Sequence, residues 1–402
     1  MISLLRPIHP FPARMAPEIV WDELPDRTRR FCVLDPMAGS GTTLVAAKLR
    51  GHTVIGYDRD PLAVLIARAW LADCDPADVE TKASEILKRA RSLARDLLVS
   101  EAYPNAADDE TKEFVRYWFD ATNRIQLTAL SRCISRMHDP SLSDLMWCAF
   151  SRLIITKTSG VSRAMDVSHG KPHRSYNKAP INAFDHFERA VRQVTKALPF
   201  HNAEDCLSPA SVTLGDARHL PLKNSSVDVV ITSPPYLNAI DYLRGHKLSL
   251  IWMKHSISEI RTIRATNVGT EVGTKRAKGD ESTDRITRMM CPLDAVSSRH
   301  AGMLRQYVHD MRAVLSEIDR VLRTGGKAVL VVGNCNIRQT FVENSKCIEG
   351  IADELGMVVG QIRKRPLPDD RRYLPPPKSL HAGKALQKRM REEVILTLLK
   401  PR

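Results

Sequence analysis

One unit constrains this chain more than any other. Phe31-Cys32-Val33-Leu34-Asp35 is a short apolar run stopped by Pro36, and Ala38-Gly39-Ser40-Gly41 follows as a turn. Thr42 to Leu49 then carries helical spacing up to Gly51, and His52 to Tyr57 is a second apolar run ending at Asp58. Short apolar runs bounded by turn residues read as buried strands. Thr42 or Thr43 is expected to cap the helix between them, with Gly51 closing it. Asp60-Pro61 opens another helix, because proline is tolerated in a first turn whose N–H groups lack partners. Strand, helix, strand, helix with tight links predicts an α/β fold, a parallel sheet with helices on its faces.

The same unit carries chemistry. Two glycines after a strand let backbone pass close to a ligand, and the N–H groups at the following helix start suit a negatively charged group. Asp58 stands 19 residues after Gly39, and a carboxylate roughly 20 residues on can take the two hydroxyls of a ribose.

Beyond Asp75 the pattern changes to mainly helical periodicity, with helices expected over 79–99, 110–137, 142–156 and 181–198 and a basic loop at 157–180. Strands return at 211–214 and 227–232, the second opening into Ser233-Pro234-Pro235-Tyr236. Residues 239–253 read as a helix, 256–298 as a flexible polar excursion and 304–322 as a helix. A strand at 327–332 and a helix at 341–355 follow, and strands at 357–362 and 394–399 are expected to pair around a long basic loop.

Of 402 residues, 43% are hydrophobic, enough for a large core and against wholesale disorder. No stretch approaches the roughly 18 apolar residues of a membrane span, and the proline-punctuated start lacks a secretory core segment. The eight cysteines form no CxxC or Cys/His cluster, which argues against structural zinc or a disulfide framework. The expectation is a reduced, soluble, cytoplasmic protein without a metal or a membrane partner.

The formal net charge is +14, and it is concentrated. Residues 151–180 carry six Lys/Arg against Asp166 alone, and residues 361–391 carry ten against Asp369 and Asp370, so the two stretches hold 13 of the 14 charges. Two such runs in loop-forming sequence point to phosphate contact. Arg163, His169, Lys171, His173 and Arg174 in the first, and Arg371 and Arg372 in the second, are the candidate nucleic-acid contacts.

Two further motifs stand beside the catalytic candidate Ser233–Tyr236. Gly215-Asp216-Ala217-Arg218 follows a strand, and His9-Pro10-Phe11-Pro12-Ala13-Arg14 lies near the start. In this order the set resembles the S-adenosylmethionine-dependent amino-methyltransferases, which methylate exocyclic amino groups of DNA bases. Asp35–Thr42 is similar to that family's cofactor loop. Thr232–Tyr236 is similar to its catalytic loop in the serine form usual for N4-cytosine enzymes, and His9–Arg14 to its N-terminal motif.

The resemblance implies a Rossmann-like class I methyltransferase fold, a mostly parallel seven-stranded sheet with a large helical insertion. It implies a discontinuous catalytic domain over 1–74, 205–254 and 301–402, with 75–204 as the insertion, expected to recognise the target, and 255–300 as the excursion. S-adenosylmethionine is the implied cofactor. Phe11, Pro12, Asp35, Pro36, Gly39, Gly41, Thr42, Asp58, Asp216 and Ala217 would line its site, with Asp58 on the ribose and Asp216 on the adenine amine. Ser233, Pro234, Pro235 and Tyr236 would meet a flipped base. Double-stranded DNA is the implied partner, and a cognate restriction or defence nuclease stays open. An N6-adenine enzyme, an RNA base amino-methyltransferase and a non-catalytic nucleic-acid-binding protein are the competing readings. Met37 departs from the family's usual Phe. With the last strand at the end of the sequence, recognition is expected chiefly from the insertion and its loop at 157–178.

Overall fold

The computed structural model describes all residues except 1–4, 13, 25–28, 170–171, 200–207, 238–240, 270–279, 338–339, 368–391 and the side chain of His169. Arg371, Arg372 and Lys171 therefore lie outside the described residues.

Seven strands form one sheet. In chain order they are β1 (Cys32–Asp35), β2 (Thr53–Asp58), β3 (Ala210–Leu214), β4 (Val227–Thr232), β5 (Leu322–Gly333), β6 (Val358–Pro366) and β7 (Glu392–Leu399). Across the sheet they run β6-β7-β5-β4-β1-β2-β3. The five strands from β5 to β3 are parallel, and β7 lies antiparallel to both β5 and β6. This is the Rossmann-like class I arrangement that the sequence led us to expect. The order reverses between β1 and β4, and open α/β sheets bind ligands beyond the carboxyl ends of their strands at such a point.

The central strands are apolar through their middle residues because both faces are covered there. Val229, Ile231, Val329 and Val331 point to one face, and Val230, Ala328, Leu330 and Val332 to the other. The first face packs on α1 (Pro17–Glu23), α2 (Thr42–Leu49) and α3 (Pro61–Leu71), the second on α11 (Glu281–Met290), α12 (Ser298–Val321) and α13 (Asn344–Glu354). The insertion supplies α4 (Pro76–Arg95), α5 (Asp109–Trp118), α6 (Ala121–Ile134), α7 (Pro140–Ile154) and α8 (Ala183–Thr195). It has no core of its own: Leu130, Phe150 and Phe187 belong to the same apolar cluster as α2 and α3. The buried Trp70 of α3 donates its indole N–H to Ala197 O at 3.2 Å. Two short helices, α9 (Leu243–Leu250) and α10 (Ile257–Ala265), follow β4.

Three local expectations need correction. Gly41, not Thr42 or Thr43, occupies the cap of α2, in a left-handed conformation. The helix expected over 110–137 is two helices. Asp120 ends the first by capping the second, its carboxylate accepting from Asn123 N at 2.9 Å. The stretch 256–298 is no uniform flexible excursion: α10 starts in a Ser256/Glu259 capping box, and α11 is capped by Asp280.

Candidate active site

The loop after β1 is shaped by its own backbone and two acids, one buried and one half-buried. Gly39 and Gly41 sit at φ +51° and +88°, which only glycine adopts cheaply. A Cβ on Gly41 would lie 2.8 Å from Ala67 Cβ of α3, so the second glycine is required twice over. Asp35, at 2% exposure, accepts from Met37 N at 3.2 Å. Burial pushes its carboxyl up to about 6, against the pull of the Thr232 and Thr43 hydroxyls. Its one backbone donor holds the start of the loop against the end of β1. Pro36 and Thr42 are buried beside it.

Asp58 ends β2 and faces the same loop. Its carboxylate accepts from Gly39 N at 2.7 Å and from Asp60 N at 2.9 Å. Burial, and then the neighbouring charge of Asp60, lift it to about 6 despite these bonds. Each oxygen keeps a lone pair for a further donor.

The N-terminal arm closes one side. An added Cβ at Gly39 would meet the Phe11 ring at 3.7 Å, and Pro12 is half-buried behind it. The Phe11 ring lies 5.7 Å from that of Tyr242 and 5.1 Å from His246. His246 is buried and its Nδ1 meets the Asp60 carboxylate, while Asp60 also caps α3. His9 is buried too, bonded to Ser151 Oγ at 3.0 Å, and held well below its usual pKa by burial and then by Arg152. It is a neutral strut anchoring the arm to α7.

Beyond β4, Ser233 Oγ donates to the Val331 carbonyl of β5 at 3.0 Å and stands 3.5 Å from the Tyr236 hydroxyl. Pro234 is buried, and Pro235 and Tyr236 are half-buried. Since the single Ser233 proton is committed to Val331, the Ser233 oxygen serves a further partner as an acceptor.

Asp216 is a hub. Its carboxylate takes Arg59 Nη1 at 2.7 Å and Arg218 Nη2 at 2.8 Å, with Arg218 Nε on the other oxygen at 3.0 Å. The same two guanidinium groups reach the Thr266 carbonyl at 3.0 and 2.8 Å, and Arg218 also grips Asp310 at 2.8 Å. The carboxyl sits below its usual range because these bonds and charges overcome its burial. An adenine amine would therefore share Asp216 with two arginines. Ala217 is buried at this corner. Arg59, Arg218, Tyr242, His246 and Asp60 were not picked out from sequence as site residues. Their partners lie up to 207 residues away, and the local signals were the adjacency of Arg59 to Asp58 and the place of Arg218 in the Gly215–Arg218 motif.

The basic loop is brought to the site from the insertion. A Cβ at Gly245 of α9 would lie 2.7 Å from the Val167 carbonyl, so the turn at 167–169, which contains His169, is pressed on the helix that follows Ser233–Tyr236. His173 and Arg174 are exposed, and Arg174 lies over the Tyr117 ring at 5.1 Å. Arg163 ties the loop to the end of α5, donating to the carbonyls of Arg116 and Tyr117 at 3.1 and 3.3 Å. Among the described residues no His, Cys, Asp and Glu are grouped to hold a metal ion, and no helix is long and apolar enough to cross a membrane.

No family model matches the chain. It is 21% identical over 355 residues to the Type II methyltransferase M.MvaI of Kocuria varians, covering 83% of this chain and 78% of that protein. It is 24% identical over 377 residues to M.AvaI of Nostoc sp., covering 82% and 74%. It is 22% identical over 312 residues to M.BsoBI of Geobacillus stearothermophilus, covering 72% and 59%. Among solved structures, a SAM-dependent methyltransferase from Methanosarcina mazei aligns over 95% of this chain and 97% of that one, at 8% identity and a TM-score of 0.33. On sequence, the chain is similar over most of its length to Type II methyltransferases.

Proposed function

We propose that the chain is a DNA methyltransferase that transfers a methyl group from S-adenosylmethionine to an exocyclic base amine, the N4 amine of cytosine. The observation that carries this reading is the Ser233 hydroxyl, whose proton is spent on Val331 O at 3.0 Å and which therefore accepts. An exocyclic amine is a poor nucleophile, because its lone pair is delocalised into the ring. Two acceptors on its two N–H groups, Ser233 Oγ and the Pro234 carbonyl, favour a pyramidal nitrogen with a localised lone pair. Tyr236 supplies a face on which a base turned out of the duplex can stack.

The loop residues fit the cofactor. Gly39 and Gly41 pass its methionine portion, and Phe11, against Gly39, walls that side. Asp58, with a lone pair left on each oxygen, takes the ribose hydroxyls, and Asp216 the adenine end. When bound, the sulfonium supplies an electrophilic methyl group. The chain contributes orientation and preorganised acceptors, which together account for large accelerations without a covalent nucleophile.

The test is methyl transfer from labelled S-adenosylmethionine to unmethylated duplex DNA, followed by nucleoside mass spectrometry, with Ser233→Ala and Tyr236→Ala alongside. N4-methylcytosine lost in both variants is the expected result. N6-methyladenine overturns the base, and transfer only to RNA overturns the substrate.

A further inference from the structure

A group of cations outside both basic stretches stands immediately after the catalytic loop. Arg244 and Lys247 lie on α9, and Arg261 and Arg264 on α10. They crowd one another. Arg244 Nε meets Asp241 at 3.0 Å, Arg264 Nε meets the same carboxylate, and Arg261 meets Glu110. The Lys247 ammonium is half-buried over the Phe114 ring at 5.0 Å. Burial holds its pKa down, and the three arginines push the same way. Four cations thus share the carboxylates of Asp241 and Glu110, and Arg261 and Arg244 reach solvent, their side chains 61% and 41% exposed.

The group is fixed at both ends to the site. Tyr242, two residues before Arg244, stacks on Phe11, which covers Gly39. Thr266, two residues after Arg264, is held by Arg59 and Arg218 at Asp216. Beyond it, a Cβ on Gly269 would lie 3.4 Å from the Tyr236 carbonyl. The surface also continues away from the site. Phe114 and Tyr117 are three residues apart on α5 and so share a face. One carries Lys247 and the other Arg174. A line of cations therefore runs from α10 across α9 and α5 to the exposed pair His173–Arg174.

We infer that Arg244, Lys247, Arg261 and Arg264 form a clamp for the phosphodiester backbone of duplex DNA beside the target base, continued along α5 by Arg174. The inference rests on the DNA-methyltransferase reading and deepens it. A phosphate among four cations offsets the repulsion between them, and its place next to Ser233–Tyr236 grips the strand where a base must be turned out. Such contacts position the duplex without reading its sequence.

The experiment measures binding of the full-length chain to a fluorescent duplex by anisotropy, as a function of salt. Arg244→Gln with Lys247→Gln, and separately Arg261→Gln with Arg264→Gln, are compared with Arg402→Gln, an exposed arginine just past β7. Each clamp pair should lower the slope of log K against log salt by about 2 and weaken binding about tenfold at low salt. Arg402→Gln should change neither. Thermal melts check folding, and the α10 pair decides if the half-buried Lys247 variant melts early. Unchanged slopes in folded variants, with wild-type methyl transfer to DNA intact, overturn the clamp and leave the function standing. Lowered slopes without any methyl transfer support the clamp and remove the methyltransferase reading. Slopes that drop with an RNA hairpin but not with duplex DNA overturn the DNA assignment.

Discussion

Gly39 donates its backbone N–H to the Asp58 carboxylate at 2.7 Å, so the glycine turn and the acid at the end of the next strand are one object. The acid that would hold a ribose also holds the loop that would pass the cofactor. Asp58 is lifted from 3.8 to about 6 chiefly by burial. An acid raised on folding stabilises the protein fully below its unfolded pKa, and that contribution is lost as pH rises through the folded value. Asp35 behaves alike, at about 6. Cofactor binding runs the other way, because two ribose hydroxyls donate best to an ionised carboxylate. Affinity for S-adenosylmethionine should fall by up to about tenfold per unit as pH drops below about 6. Calorimetric titration between pH 5 and 7.5 checks this. Asp58→Asn should bind weakly and without the pH slope, whereas Asp35→Asn should keep the slope. A flat profile in the wild type would remove Asp58 from the cofactor site.

Gly41 and Gly325 separate two costs that are usually confounded. Both have positive φ, +88° and +75°. A Cβ on Gly41 meets Ala67 Cβ at 2.8 Å, and one on Gly325 meets nothing within 4 Å. Gly325→Ala should cost only the backbone term, about 1 kcal/mol. Gly41→Ala should cost about 3 kcal/mol, since α3 must also move. Urea denaturation of the two variants gives the comparison, and equal losses would mean that the α2–α3 contact yields easily.

Much of this was legible because the informative residues are neighbours in sequence. The run Val33–Asp35, the two glycines and Asp58 fall within 26 residues, and tight links leave few ways to join them. The split between α5 and α6 was not legible. Apolar spacing continues through Phe119-Asp120, with no glycine or proline to stop it. The break comes from Asp120, whose carboxylate takes Asn123 N and, 59 residues on, Ala179 N at 2.8 Å. For α10 the signal was present and overlooked: Ser256 and Glu259 spell a capping box. The Asp216 hub was out of reach of any local rule, because Arg59, Thr266 and Asp310 arrive from three distant segments.

That hub predicts an order of damage. Arg218 meets Asp216, Thr266 O and Asp310, and Asp310 is only 5% exposed. Arg218→Met leaves Asp310, among the described residues, with Gln306 at 3.3 Å as its side-chain donor, an expected cost of about 3 kcal/mol. Arg59 meets Asp216 and Thr266 through partly exposed groups, so Arg59→Met should cost about 1 kcal/mol or less. In both, amide exchange over 257–269 should quicken, since Thr266 loses a donor. If Arg59→Met proves the more damaging, Asp216 rather than Asp310 is the centre of the hub.

Ser233 offers the sharpest separation of folding from chemistry. Its hydroxyl makes one bond of ordinary length, to Val331 O, and a marginal contact at 3.5 Å with Tyr236. Ser233→Ala deletes a neutral hydrogen bond at the surface of the loop, so stability should fall by about 1 kcal/mol or less. S-adenosylmethionine binding should not change, because Gly39, Phe11 and Asp58 are untouched. The methyl-transfer step should slow by about 100- to 1000-fold, the usual effect of removing one preorganised polar group aimed at a reacting centre. Single-turnover transfer to duplex DNA, measured beside calorimetric binding of the cofactor, isolates that step. A variant that binds the cofactor normally and transfers at the wild-type rate would leave the amine without its acceptor on the Ser233 side, and the catalytic assignment of the loop would fall with it.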